Sequence, residues 1–185
     1  MTGDWDGPYY AHKNNMLVGF VSMGKDMKES RMDDYSDNVY LGNWHVTGVG
    51  EFSTNLADRL SNTGKYMCKR ESTGNLGVVV PVVYADRCDC VAEGSEGSGK
   101  KWSRWALFKI SWKGVVGGSK ETVVAVFHIH HDHATAGPNF FWYRVGGNDP
   151  VFNRVMLKMS LDVSKHSARL LMGDANMSMF AGKVF

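Results

Sequence analysis

Arg169-Leu-Leu-Met-Gly-Asp174-Ala-Asn176 reads as a buried strand that stops abruptly at ligand chemistry. Upstream, Thr122-Val-Val-Ala-Val-Phe127 is a second apolar run, and it closes on His128, His130, His131, Asp132 and His133. Short apolar runs rich in β-branched residues and bounded by polar residues predict buried strands. Strands that end in polar side chains deliver them to the rim of a sheet, where α/β proteins keep their sites. Between the two runs the period changes. Val151, Val155, Met159 and Val163 recur every four residues, with Phe152 and Met156 beside them. That spacing predicts one apolar helix face, with Arg154, Lys158 and Lys165 turned outward. Strand, helix and strand in this order predict an α/β domain.

Working outward, Trp105–Trp112 and Thr122–His128 flank a Gly-rich turn, Gly114–Ser119, and predict a β-hairpin. Before it, Ala92–Lys101 is rich in Gly, Ser and Glu and reads as an exposed loop. Gly77–Tyr84 is β-rich, and Pro81 inside it suggests an edge strand or a bulge. Trp44–Val49 predicts a strand ending at Gly50-Glu51. Ser53 or Thr54 then caps a helix through Leu60, stopped by Asn62 and Gly64. Met16–Val21 predicts a further strand, and Lys25–Asn38 a charged loop or poor helix. Residues 1–15 read as a loose lead-in to a single domain over 16–185.

A chain of 185 residues, 43% hydrophobic, is long enough for one domain with a full core. A net charge of +2 is too mild to argue for nucleic-acid binding by itself. Cys68, Cys88 and Cys90 are too few and too oddly spaced for a disulfide framework, which predicts reduced thiols and an intracellular setting. The N-terminus has no basic segment followed by an apolar one, so no secretory signal is visible, and no apolar stretch is long enough to span a bilayer.

Four pieces carry candidate chemistry. Gly173-Asp174-Ala-Asn176 can place a carboxylate and an amide in one pocket, the donor chemistry of a hard cation such as Mg²⁺, although the same residues also form ordinary turns. The histidines after Phe127 supply imidazole, the usual acid or base near neutral pH and a common transition-metal ligand. Strand alternation puts His128 and His130 on one face and Ile129 on the other. Glu51 holds the same address as Asp174, after a strand, though solvated surface explains a lone Glu equally well. Arg104 precedes the hairpin strand and either grips a phosphate or simply flanks the strand.

Together these segments resemble the endonuclease/exonuclease/phosphatase superfamily of deoxyribonuclease I-like hydrolases. The matching pieces are strand–Gly50-Glu51–helix, hairpin strand–Phe127-His128, and amphipathic helix–Leu170-Leu-Met-Gly-Asp174-Ala-Asn176. The resemblance implies a four-layer α/β/β/α sandwich and divalent-metal-dependent hydrolysis of a phosphodiester or phosphomonoester, with nucleic acid among the candidate substrates. It implies Mg²⁺ or Mn²⁺ on Glu51 and a phosphate on Arg104. It implies that Asp174 and Asn176 orient nucleophile and phosphate. His128 would act at the scissile phosphate, with His130 the alternate. Two departures stand out. The family carries an Asn at the end of its first strand, where this chain reads Gly19-Phe-Val-Ser-Met-Gly24. The family's later Asp and Asp-His pair have no counterpart before Phe185, so the resemblance implies a domain incomplete at its C-terminal side, either a fragment of a longer protein or a remnant that no longer turns over.

Two other readings stay open. His128-Ile-His130-His-Asp132-His133 resembles the H-x-H-x-D-H motif of metallo-β-lactamase-fold hydrolases, which implies two Zn²⁺ ions on those residues. An incomplete phosphodiesterase fold could also bind phosphate or nucleic acid without turnover, with the aromatic knot Phe140–Tyr143 and Arg144 stacking on bases.

Overall fold

The apolar runs become strands of two four-stranded sheets. The computed structural model describes residues 15–22, 44–98, 101–130 and 150–174. In the first sheet β1 (Val18–Ser22) runs parallel to β2 (Val46–Gly50), and β2 pairs antiparallel with β4 (Leu76–Pro81), which pairs antiparallel with β3 (Tyr66–Arg70). The second sheet has the order β5 (Ala85–Ser98), β6 (Lys101–Val116), β7 (Ser119–His128), β8 (Leu170–Asp174). Its first three strands are antiparallel, and β8 joins β7 in parallel after the crossover helix α2 (Pro150–Lys165). Helix α1 (Thr54–Asn62) follows β2.

Three apolar clusters define the layers. Val46, Leu76, Val78, Ala106, Phe108, Ile110, Val124, Val126 and Met172 form the core between the sheets. Leu56, Ala57 and Leu60 of α1 pack with Phe52, Tyr66 and Val79 on the outer face of the first sheet. Val155 and Met159 of α2 pack with Trp105, Leu107, Ala125 and Ile129 on the outer face of the second. The stack is therefore helix, sheet, sheet, helix, as the family resemblance implies.

Local chemistry explains the boundaries. The Ser53 hydroxyl accepts the Leu56 N–H at 3.2 Å and caps α1, a contact worth about 1 kcal/mol. Gly117 and Gly118 have φ of 55° and 76°, so the β6–β7 reversal is a two-residue turn that demands left-handed backbone. The Trp105 indole N–H donates to Asp162 at 2.8 Å and pins α2 to the sheet.

Several sequence expectations shift. Within the expected loop Ala92–Lys101, Ala92–Ser98 is the outer arm of β5 and Lys101 opens β6, with Gly94 opposite Trp105. A Cβ on Gly94 would overlap the Trp105 ring, so the glycine makes room for the indole rather than marking a turn. Pro81 sits in a central strand, where it occupies the last position and lets the ladder end there. Tyr66–Arg70 forms a strand that no periodicity announces. Asp174, read from the sequence as following a strand, is the last residue of β8 itself. Arg154 and Lys158 do leave the core, and both clamp Glu96 on β5, at 2.8 and 2.5 Å. Among the described residues no helix is long and apolar enough to cross a membrane. Lys25–Asn38 and Phe140–Arg144 lie outside the described residues.

Candidate functional site

Strand alternation continues the inter-sheet core straight into the site. On β6, Ile110, Phe108 and Ala106 face the core, and Arg104 is the next residue on that face. On β7 the series Val124, Val126 leads to His128, and on β8 Leu170, Met172 leads to Asp174. Register aligns the three ends, with Arg104 opposite His128 and His128 opposite Asp174. One rung of the sheet thus changes from apolar to guanidinium, imidazole and carboxylate. His128 and Asp174 are half-buried, and Arg104 keeps 21% of its side chain exposed. The Asp174 carbonyl accepts the Ile129 N–H at 2.8 Å, which prolongs the pairing just past the strand ends.

The first sheet brings Glu51 to the same end. β2 finishes at Gly50, level with Ser22 on β1 and Leu76 on β4. Gly48 and Gly50 carry no side chain toward the other sheet. A Cβ on Gly48 would meet Met172 at 3.3 Å, and one on Gly50 would meet Phe20 at 3.2 Å. Glu51 itself has φ of 54°, the left-handed region that costs a residue with a side chain roughly 1–2 kcal/mol. The following Phe52 N–H donates to the Asn75 carbonyl at 3.2 Å, so the Glu51 corner abuts the 71–75 turn.

That turn connects β3 to β4 in the first sheet and reaches the second through its side chains. Glu71 is buried, with 7% exposure. Its carboxylate accepts the Thr73 and Asn75 N–H groups, each at 2.8 Å, and the Thr73 hydroxyl. Arg104 Nη1 donates to that hydroxyl and lies 3.8 Å from Glu71 Oε1. Glu51, Glu71, Arg104, His128 and Asp174 thus share one end of the sandwich. Sequence reasoning passed over Glu71, because a Glu ahead of Ser-Thr-Gly-Asn looks like a solvated turn charge.

Asn176, His131, Asp132 and His133 lie outside the described residues. His130 lies beyond the end of β7, and its N–H donates to Ser103 Oγ at 2.9 Å. Ile129 is buried on the α2 side. Burial pushes the Cys68 thiol up to about 11, Cys88 to about 12 and Cys90 to about 11, so all three are neutral thiols. Among the described residues no three His, Cys, Asp or Glu side chains gather closely enough to hold a metal ion. A closed zinc site needs such a group. A hard cation that keeps most of its waters needs only one or two carboxylates, and the oxygen donors at this rim fit it.

No protein-family model and no curated protein matches the sequence. Solved structures do match. D. rerio TDP2 complexed with a single-strand DNA product superposes with a TM-score of 0.56 at 12% identity, over 90% of this chain and 62% of that one. TDP2 from C. elegans gives 0.56 at 14% identity, over 91% and 50%. A Bacteroides thetaiotaomicron mannosyl-6-phosphatase gives 0.51 at 12% identity, over 89% and 67%. Another match, at 0.51 and 12% identity, is an endonuclease/exonuclease/phosphatase family protein from the same bacterium. At such identities the likeness defines the fold, which is the deoxyribonuclease I-like α/β sandwich. The chain spans 62% of the D. rerio TDP2 chain and 50% of the C. elegans one. With this fold, and with a hairpin rather than a helix–strand unit delivering His128, the dizinc reading loses its structural basis.

Proposed function

We propose that this chain carries the phosphoryl-binding and hydrolytic rim of a divalent-metal-dependent phosphoesterase. The observation that carries the reading is the single rung Arg104–His128–Asp174, facing the Glu51 corner of the other sheet. Arg104 would grip non-bridging phosphoryl oxygens through its planar fork. His128 would donate a hydrogen bond to the phosphoryl group and move a proton at the reacting oxygens, with His130 the alternate. Asp174, with Asn176, would orient the attacking water, and its carboxylate accepts that water's hydrogen bond. Glu51 would hold Mg²⁺ or Mn²⁺, which when bound offsets negative charge on the transferring phosphoryl group. The substrate class is a phosphodiester or phosphomonoester. A single-stranded nucleic-acid end is one candidate, by analogy with the product bound to D. rerio TDP2.

The test uses bis(p-nitrophenyl) phosphate and p-nitrophenyl phosphate with Mg²⁺, then with EDTA. The expected result is hydrolysis of at least one ester that EDTA abolishes and Asp174→Ala removes. Turnover untouched by both rejects the site. Phosphate affinity that needs Arg104, without turnover, would convert the reading to a phosphate-binding module.

A further inference from the structure

We infer that Glu71 is a positioning residue that fixes the Arg104 guanidinium on the rung shared with His128 and Asp174. The inference rests on the phosphoester reading above for the use made of Arg104, but its geometry is independent of it. A buried carboxylate is costly unless hydrogen bonds and an opposite charge satisfy it. Glu71 has both. Two backbone N–H groups and a hydroxyl from its own turn orient its oxygens. The hydroxyl of Thr73 then links donor to acceptor in series, receiving from Arg104 Nη1 and donating to Glu71 Oε1. The guanidinium, on the second sheet, is thereby tied to the first.

The turn that does this is itself clamped from the other directions. Arg70 donates to the Gly74 carbonyl and to Thr54 Oγ1, both at 2.6 Å, tying the turn to α1. Gly74 has φ of 74°, and a Cβ there would overlap the Arg70 guanidinium, so the turn requires glycine at this position. The Ser72 hydroxyl and N–H both donate to Glu93 on β5, and they hold that carboxyl below its usual range. An arginine on a free four-bond stem spends much of its time away from any one ligand position. Held this way, it presents its remaining donors in a fixed plane, and binding a phosphoryl group then needs little further ordering.

The direct measurement is NMR relaxation of the Arg104 Nε–Hε group in the full chain, with inorganic phosphate titrated alongside. In the parent protein the group should be as ordered as the β6 backbone. Glu71→Gln, and separately Thr73→Val, should mobilise it and weaken phosphate binding on the order of tenfold for Glu71→Gln and less for Thr73→Val. In an Arg104→Ala background neither change should weaken phosphate binding further. Thr73→Val leaves the buried carboxylate in place, so it stays informative if Glu71→Gln fails to fold. An Arg104 side chain as ordered in both variants as in the parent overturns the inference and leaves the phosphoester reading standing. A mobilised Arg104 with phosphate affinity unchanged, in Arg104→Ala as well, overturns the phosphate role of Arg104 and with it the positioning.

Discussion

The two ends of this sandwich both hold an imidazole and hydrogen-bonding side chains, yet they bury them to different depths. At the far end His45 is 2% exposed, and its Nδ1 accepts the Leu17 N–H at 2.9 Å. Its ring lies against Tyr84 at 4.7 Å and near Trp112 at 6.4 Å. Trp112 donates to Thr122 Oγ1 at 2.9 Å, also in the interior. Burial pulls the His45 pKa below its ordinary 6.5, which keeps the ring a neutral acceptor. At the near end His128 and Asp174 end their strands and Arg104 lies level with them inside β6, all three half-buried, beside a backbone corner held at positive φ. Polar groups consumed by the core build the fold. Polar groups on the rung beyond the last apolar one are only partly buried. The side-chain types are alike, so position along the strand separates the two roles.

Changes at one end should therefore move activity and those at the other should move stability. The largest expected effect is at the near end. Asp174→Ala should lower the rate on a generic phosphodiester on the order of 10³-fold, while the midpoint of urea unfolding stays within about 0.5 kcal/mol of the parent. A large loss of stability with the rate intact would erase the contrast. Between the ends, Phe108→Ala should cost about 3–5 kcal/mol, because it empties the fully buried centre of the inter-sheet core, as urea denaturation would show. At the far end, Trp112→Phe strands the buried Thr122 hydroxyl and should cost about 1–3 kcal/mol with kcat/KM unchanged. The smallest effect concerns acid. His45 binds protons less readily folded than unfolded, so its contribution to stability is complete above pH 6.5 and lost as pH falls through its lowered folded value. His45→Gln should lessen the dependence of stability on pH below 6.5, measured by unfolding at several pH values, and an unchanged slope would count against a neutral buried ring.

Much of the near end is legible in the sequence because apolar period and polar terminus coincide there. β7 and β8 each carry an apolar run up to their polar ends, Val123–Phe127 and Leu170–Met172, and α2 shows its four-residue repeat, so the elements beside His128 and Asp174 can be placed without coordinates. Glu51 is legible as a charge between a strand and a capped helix. The unseen parts are those whose logic lies across the sheet. Tyr-Met-Cys-Lys-Arg lies between turn signals but has no apolar alternation to mark it as β3. The Gly, Ser and Glu of the outer β5 arm imitate a loop, yet Gly94 serves Trp105, Glu93 serves Ser72 and Glu96 serves α2. Glu71 is hidden for the same reason, since its partner Arg104 lies on the other sheet.

The parallel pairing of β7 and β8 has a consequence for how this chain tolerates insertions. Extra residues among 166–169, between α2 and β8, lengthen only a connection and leave the pairing of Val126 with Met172 intact. A single residue added between Met172 and Gly173 would instead turn the Asp174 carboxylate to the α2 side, away from Arg104 and His128. The same one-codon change is thus absorbed on one side of Leu170 and ruinous on the other.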